Sequence, residues 1–283
     1  MVRIIIAIFV LYLIKESTLK AIADSVKGKR SLSKIKVNEI SGIIDEIEPA
    51  DDILNGQVED VTLKDISYRI GAFYGCKNIK TIHAEDVTLI PESCFEKGLA
   101  SGCNVYLSPT IKTIGANAFN ECNYVRNIYF SGTLDEWAMI NFANPQSSPL
   151  YATQSAKLYI NGRVPSSDIE LEATYVNSGA FRYCLFASVK ALNALYLSSY
   201  AFNNCDSMTQ LKLGVCESIG ERAVGTCKSL EVADLGTEIG QIDGYAFAND
   251  YRLKHLVIRN TTDVVTLKSV TGFDKCYWLL GTK

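Results

Sequence analysis

The chain repeats itself about every 23 residues, and a repeat of that length limits its fold more than any other property. Phenylalanine marks the period. Phe73, Phe95, Phe119, Phe181, Phe202, Phe247 and Phe273 fill one slot, and Val224 fills it between Phe202 and Phe247. The spacings are 22, 24, 62, 21, 22, 23 and 26 residues, so one gap is long and the rest cluster. A small side chain precedes the slot at Ala72, Cys94, Ala118, Ala180, Ala201, Ala223 and Ala246. Four residues before that stands an aliphatic, at Ile90, Ile114, Val176, Leu197, Ile219 and Ile242. Cysteine follows the slot by three residues at Cys76, Cys122, Cys184, Cys205, Cys227 and Cys276, with Gly98 and Asp250 as exceptions.

Each unit also carries an alternating apolar pair: Ile82/Ala84, Val105/Leu107, Ile128/Phe130, Leu195/Leu197, Leu211/Leu213, Ala233/Leu235 and Leu256/Ile258. Period two is the mark of a short strand with one face buried. One strand per coil predicts a solenoid with a parallel sheet along one wall. Eight such coils, stacked at about 4.8 Å, make a body on the order of 35–40 Å long.

The unit h-G-x-x-A-F-x-x-C-x-x-L-x-x-h-x-h resembles the BspA-type leucine-rich repeat of bacterial surface proteins. Ile114-Gly115-Ala116-Asn117-Ala118-Phe119-Asn120-Glu121-Cys122 and the run from Ile219-Gly220 to Cys227 carry the likeness. The resemblance covers residues 66–283. It implies an α/β fold, a leucine-rich-repeat solenoid with one short parallel strand per coil. The long gap resembles an insertion common in that family, at residues 131–165. It contains Ser131-Gly132-Thr133-Leu134-Asp135-Glu136-Trp137, Asn144-Pro145 to Pro149-Leu150-Tyr151, and Leu158-Tyr159-Ile160-Asn161-Gly162. Trp137, Phe142 and Tyr151 read as the small core of that insertion or as an exposed contact loop.

Residues 1–50 do not share the repeat. Ile4–Ile14 is an apolar run after Arg3. It fits a secretory signal, with Ala21 and Ala23 as the nearest small residues, or a buried strand or helix. Leu19, Ile22, Ala23 and Val26 then fall on one face of a helix, with Ser17 or Thr18 as cap and Gly28 as stop. Val37, Ile40, Ile43, Ile44 and Ile47 line a second helix that Pro49 ends. The stretch Tyr12–Val26 with Ile35–Ile47 resembles a short N-terminal module of tail-associated structural proteins of phages and prophages. The resemblance implies a small two-helix attachment module, and residues 51–65 then link it to, or cap, the repeats. The attachment or oligomer face would be Leu19, Ile22, Val26, Ile40, Ile44 and Ile47.

The sequence offers little for catalysis. It has two histidines, no Gly-rich phosphate loop and no GxSxG. A net charge of −3 speaks against a general nucleic-acid binder. Six of nine cysteines share one repeat slot, which suits small buried thiols better than a disulfide framework. A linear ladder does not converge four ligands on zinc. We expect no enzyme activity, no metal and no cofactor.

The outward strand positions are the candidate ligand or partner face: Thr81, His83, Asn104, Tyr106, Asn127, Tyr129, Tyr196, Gln210, Lys212, Asp234 and His255. Tyrosine provides contact area with a hydrogen-bonding tip at low entropic cost. A solvated sheet face with Tyr chosen for strand propensity is the competing reading. Together the two resemblances imply a non-enzymatic phage virion structural protein, such as a tail fibre, baseplate or surface-decoration component. Its head would bind other virion proteins or sister copies, and its repeats would bind a host-surface protein or glycan. The last unit stops soon after Cys276, and an open solenoid end calls for a partner or a second copy, so an assembled setting, a homo-oligomer first, is expected. The alternative is a secreted or surface-displayed bacterial leucine-rich-repeat adhesin with Ile4–Ile14 as its signal.

Overall fold

The computed structural model describes residues 58–63, 68, 70–151, 156–259, 266–267 and 273–276. The apolar run, the two-helix module and its proposed attachment face lie outside the described residues.

The alternating pairs become strands. Asp60–Thr62, Thr81–Ala84, Cys103–Leu107, Val125–Phe130 and Lys157–Ile160 stack in parallel as one five-stranded sheet. Asp168–Glu170, Ser188–Ala191, Gln210–Leu213, Val232–Asp234 and His255–Val257 form another. These two sheets make the wall. Register carries the inward residues from coil to coil: Ile82 pairs with Val105, Val105 with Ile128, and Ile128 with Leu158, all of them buried.

Among the described residues, eight of the ten wall strands are each followed by a second strand, where one per coil is expected. The second is two residues long, and its inward member is the recurring aliphatic, as in Leu89–Ile90, Thr113–Ile114 and Ser218–Ile219. A two-residue strand shows no alternation, so only its buried residue appears in the repeat. Tyr196–Leu197 is such a strand, paired with Tyr175–Val176 and Ser218–Ile219. The pair Leu195/Leu197 therefore does not mark a wall strand. The wall strand of that coil is Ser188–Ala191, with Val189 and Ala191 inside. Ile258 also departs from expectation, since it lies past its strand and is exposed.

The α/β assignment is corrected. Among the described residues the α-helix is Leu134–Ala138, with one 3-10 turn at Pro145–Ser147. Where an LRR helix would run, the anchor sits between two left-handed residues. Ser93 (φ 52°) and Lys97 (φ 58°) bracket Phe95, and Tyr200 (φ 61°) and Asn204 (φ 60°) bracket Phe202. Left-handed residues cannot continue a right-handed helix. The turned backbone instead bonds along the axis: Phe73 N–H to Cys94 O at 2.8 Å, Phe95 to Ala118 at 2.9 Å, Phe181 to Ala201 at 2.8 Å, and Phe202 to Ala223 at 2.7 Å. These bonds offset a strain on the order of 1–2 kcal/mol for each left-handed residue.

The anchor rings stack beneath the turns. Phe73–Phe95 and Phe95–Phe119 centroids are 5.5 Å apart, and Phe181–Phe202 and Phe247–Phe273 are 5.4 Å apart. The cysteine slot has a polar task. Cys122 Sγ donates to Phe95 O at 3.0 Å, Cys205 to Phe181 O at 3.1 Å, Cys227 to Phe202 O at 3.2 Å, and Cys276 to Phe247 O at 2.9 Å. Each thiol thus satisfies the anchor carbonyl of the preceding coil. No disulfide joins any of the nine cysteines, and burial pushes the pKa of Cys103 and Cys276 up to about 12, so these two stay thiols.

Asp250 takes the slot in one coil. Its carboxylate accepts from Cys227 N–H at 2.7 Å, and it is fully buried. Burial first, and then the Cys227 thiol, hold its pKa well above the usual carboxylate range.

The segment 131–165 splices the two halves. Thr133 caps the short helix, with Glu136 N–H on its hydroxyl at 3.1 Å and Glu136 carboxylate on its N–H at 2.8 Å. The helix buries Trp137 against Phe130 and Phe142. Trp137 Nε1 donates to Ala180 O at 2.6 Å, and Asp135 accepts from Glu172 N–H and Ala173 N–H at 2.7 and 2.8 Å. The turn at Pro145–Ser147 replaces the missing unit, with Phe119 N–H donating to Gln146 O at 3.3 Å.

Candidate recognition surface

Strands in register place outward side chains in rows. In the first half one row is Thr62, His83, Tyr106, Tyr129 and Tyr159. Four rings of this row stack: His83–Tyr106 at 4.7 Å and 8°, Tyr106–Tyr129 at 4.7 Å and 13°, Tyr129–Tyr159 at 4.8 Å and 24°. The parallel strand spacing sets these distances. Rings this close admit nothing between them, so a partner meets their edges and their polar tips. The neighbouring row is Asp60, Thr81, Asn104, Asn127 and Lys157, and Asn127 Nδ2 donates to Asn104 Oδ1 at 2.8 Å.

Glu85 closes one side of the ring row. Its Oε2 lies 3.0 Å from His83 Nδ1. Partial burial, then Tyr129 and Glu85, raise the Tyr106 phenol, so it keeps its proton. Beside Tyr106 and Tyr129 lies an open cleft of about 310 Å³, lined also by Glu85, Ser131, Asn161 and Gly162. Asn161 is left-handed (φ 48°), and its Nδ2 donates to Gly132 O at 3.0 Å.

The second half carries different chemistry in the same geometry. Its rows read Glu170, Lys190, Lys212, Asp234, Val257 and Asp168, Ser188, Gln210, Val232, His255. Lys190 bonds Glu170 at 2.8 Å, Arg259 bonds Asp234 at 2.6 Å, and Ser188 donates to Asp168 at 2.5 Å.

Ten of the eleven candidate face residues thus lie on the wall. Thr81, His83, Asn104, Tyr106, Asn127 and Tyr129 come together in the first half, and Gln210, Lys212, Asp234 and His255 in the second. Tyr196 does not join them. It sits on the second strand of its coil, stacked on Tyr175 at 5.2 Å, with its hydroxyl donating to Glu217 at 2.7 Å. The sequence reading missed Tyr159 and Lys190. Leu158/Ile160 and Val189/Ala191 flank them with the required alternation, but the first pair lay in the insertion and the second was passed over for Leu195/Leu197.

Trp137 and Phe142 are buried at the splice, while Tyr151 lies half-buried with the Arg182 guanidinium 4.3 Å from its ring centre. Among the described residues, no helix is long and apolar enough to cross a membrane, and no three His, Cys, Asp or Glu group as metal ligands.

A family model for the BspA-type leucine-rich repeat region matches residues 55–158 and 153–277, in six copies. A crystal structure of a leucine-rich repeat protein from Bacteroides ovatus ATCC 8483 is similar, with 18% identity and a TM-score of 0.38, over 74% of this chain and 50% of that one. Another, from Eubacterium ventriosum ATCC 27560, has 11% identity and a TM-score of 0.30, over 77% of this chain and 88% of that one. The chain spans half the length of the Bacteroides ovatus protein. No curated protein matches the chain.

Proposed function

The chain belongs to the BspA-type leucine-rich-repeat family, and on that premise we propose that it is a non-enzymatic recognition protein of adhesin type. It binds a surface protein or glycan through the first half of its wall. One observation carries the reading: the four-ring stack His83–Tyr106–Tyr129–Tyr159. In the corresponding row of the second half the rings are replaced by ion-paired side chains, Lys190 with Glu170 and Asp234 with Arg259, while in the first half the Lys80–Glu59 pair stands just before the strands. Tyrosine is enriched at recognition surfaces, and solenoid walls serve as binding faces. The test is adhesion of the purified chain to intact bacterial and epithelial cells. Tyr106→Ala with Tyr129→Ala should abolish binding while the coils stay folded, at the modest cost of the lost ring contacts. Binding that survives this pair would refute the reading.

For its setting we propose a virion appendage, with residues 1–50 attaching the chain to virion partners or sister copies. The likeness of residues 12–47 to phage tail modules supports this. The family's bacterial-surface members favour the second reading, a secreted or displayed adhesin. Mass spectrometry separates them: a stoichiometric chain starting at residue 1 or 2 in purified particles supports the first, and an envelope or medium form starting near residue 24 supports the second. Deleting residues 1–50 should abolish incorporation into particles and leave the repeats folded.

A further inference from the structure

We propose that the cleft between Glu85, the Tyr106 and Tyr129 rings and the Asn161–Gly162 turn binds a neutral hexose oligosaccharide, extended along the ring row. This rests on the recognition reading above and names the ligand class of that same wall. The first argument is what the wall lacks. No outward side chain of its first half is aliphatic: the two rows hold Asp, Thr, Asn, Lys, His and Tyr. Rows without aliphatics offer ring edges and hydrogen-bonding tips, which suit a polyhydroxylated ligand. The exposed aliphatics, such as Ile70, Leu89, Val164 and Leu185, lie off these rows.

The second argument is what converges. The cleft of about 310 Å³ falls at the lower end of small-ligand sites, where one or two sugar rings fit. It is edged by two phenols, a hydroxyl, a carboxamide and a carboxylate. One N–H of the Asn161 amide is engaged by Gly132 O, which leaves its other N–H and its carbonyl for a ligand. His83 holds Glu85, so the carboxylate is positioned before a ligand arrives. Such a set pairs with vicinal hydroxyls, each of which both donates and accepts. Glu85 is the charged group lining the cleft, so an acidic sugar is disfavoured.

The coils supply the third argument. The Tyr106, Tyr129 and Tyr159 rings recur at a 4.7–4.8 Å step, so a chain of sugars laid along the axis meets a phenol at three successive coils. Stacking fixes the rings beforehand, which lowers the ordering cost of binding.

Titration calorimetry with hexasaccharides of glucose, mannose and galactose tests this on the full chain. At least one should bind. Tyr129→Phe keeps the ring stack and removes one hydroxyl, and it should weaken binding about tenfold; Glu85→Gln should do the same. Lys228→Ala, off the wall rows and paired with Asp206, should change nothing. No binding across the panel, or binding that ignores Tyr129→Phe and Glu85→Gln, overturns the proposal. A cell-adhesion arm separates the two readings. Adhesion that survives periodate and is lost to protease refutes the sugar and keeps the recognition reading. Absence of adhesion to any surface refutes the recognition reading itself.

Discussion

Between Asp60 and Ile160 one outward row of the wall reads Thr62, His83, Tyr106, Tyr129, Tyr159; between Asp168 and Val257 its counterpart reads Glu170, Lys190, Lys212, Asp234, Val257. The inward residues of the two halves are interchangeable in kind. Ile82, Val105 and Ile128 do in one what Val189, Leu211 and Ala233 do in the other. The core therefore demands only apolar alternation and leaves the outside free. Solvation alone is served by the charged half, whose row itself holds ion pairs; in the aromatic half the Lys80–Glu59 pair stands beside the rows and not in them. The aromatic half spends outward positions on rings, and the core gains nothing from them. That contrast argues that the first half is shaped by a partner.

The splice holds the halves together, and breaking it has the largest expected effect. Trp137→Ala removes a fully buried ring and the bond to Ala180 O, and should cost about 3–5 kcal/mol. Chemical unfolding should then separate into two transitions. A single transition of unchanged midpoint would mean that the halves cohere without Trp137. In the core the halves should respond alike. Phe95→Ala loses stacked rings on both sides, Phe202→Ala loses one ring and its packing on Val224, and each should cost about 3–5 kcal/mol.

Asp250 gives a smaller and pH-dependent effect confined to the second half. An unfolded aspartate titrates near about 4, and the folded one is held well above that. Its contribution is full below about pH 4 and is lost as pH rises through the folded pKa. Stability should therefore fall from pH 4 to pH 7. Asp250→Cys restores the thiol rung and should be more stable at pH 7 by about 1–3 kcal/mol, with that part of the pH slope removed. Denaturant titrations at both pH values check the sign. Smallest of all, Lys190→Ala should cost at most about 1 kcal/mol, and less in high salt, because the Glu170 pair is exposed.

Much of this was legible in the sequence because burial repeats and exposure does not. Every anchor ring must fill the same volume, so Phe73 to Phe273 announce the coils. Most wall strands showed themselves through period two. The second strand was invisible because Ile90 or Ile219 alone has no partner two residues away. The turn in place of a helix was hidden as well, because Lys97, Glu121, Tyr200 and Arg222 are not residues that advertise a left-handed backbone. The axial ladder, not local preference, holds them there. The candidate face was read nearly whole, since outward residues follow from the inward ones. It failed at Tyr196 and missed Tyr159, where the choice of strand depended on distant pairing. The cleft was not legible, because Glu85 and Asn161 leave the strands before they meet.

The central claim is that recognition resides in the aromatic half of the wall. Surface adhesion of three proteins tests it most directly: the native chain, Tyr106→Ala with Tyr129→Ala, and Lys190→Ala with Lys212→Ala. The account predicts adhesion by the first and third and none by the second, with all three equally folded. Loss of adhesion in the lysine variant with retention in the tyrosine variant would contradict it, and would place recognition on the charged half instead.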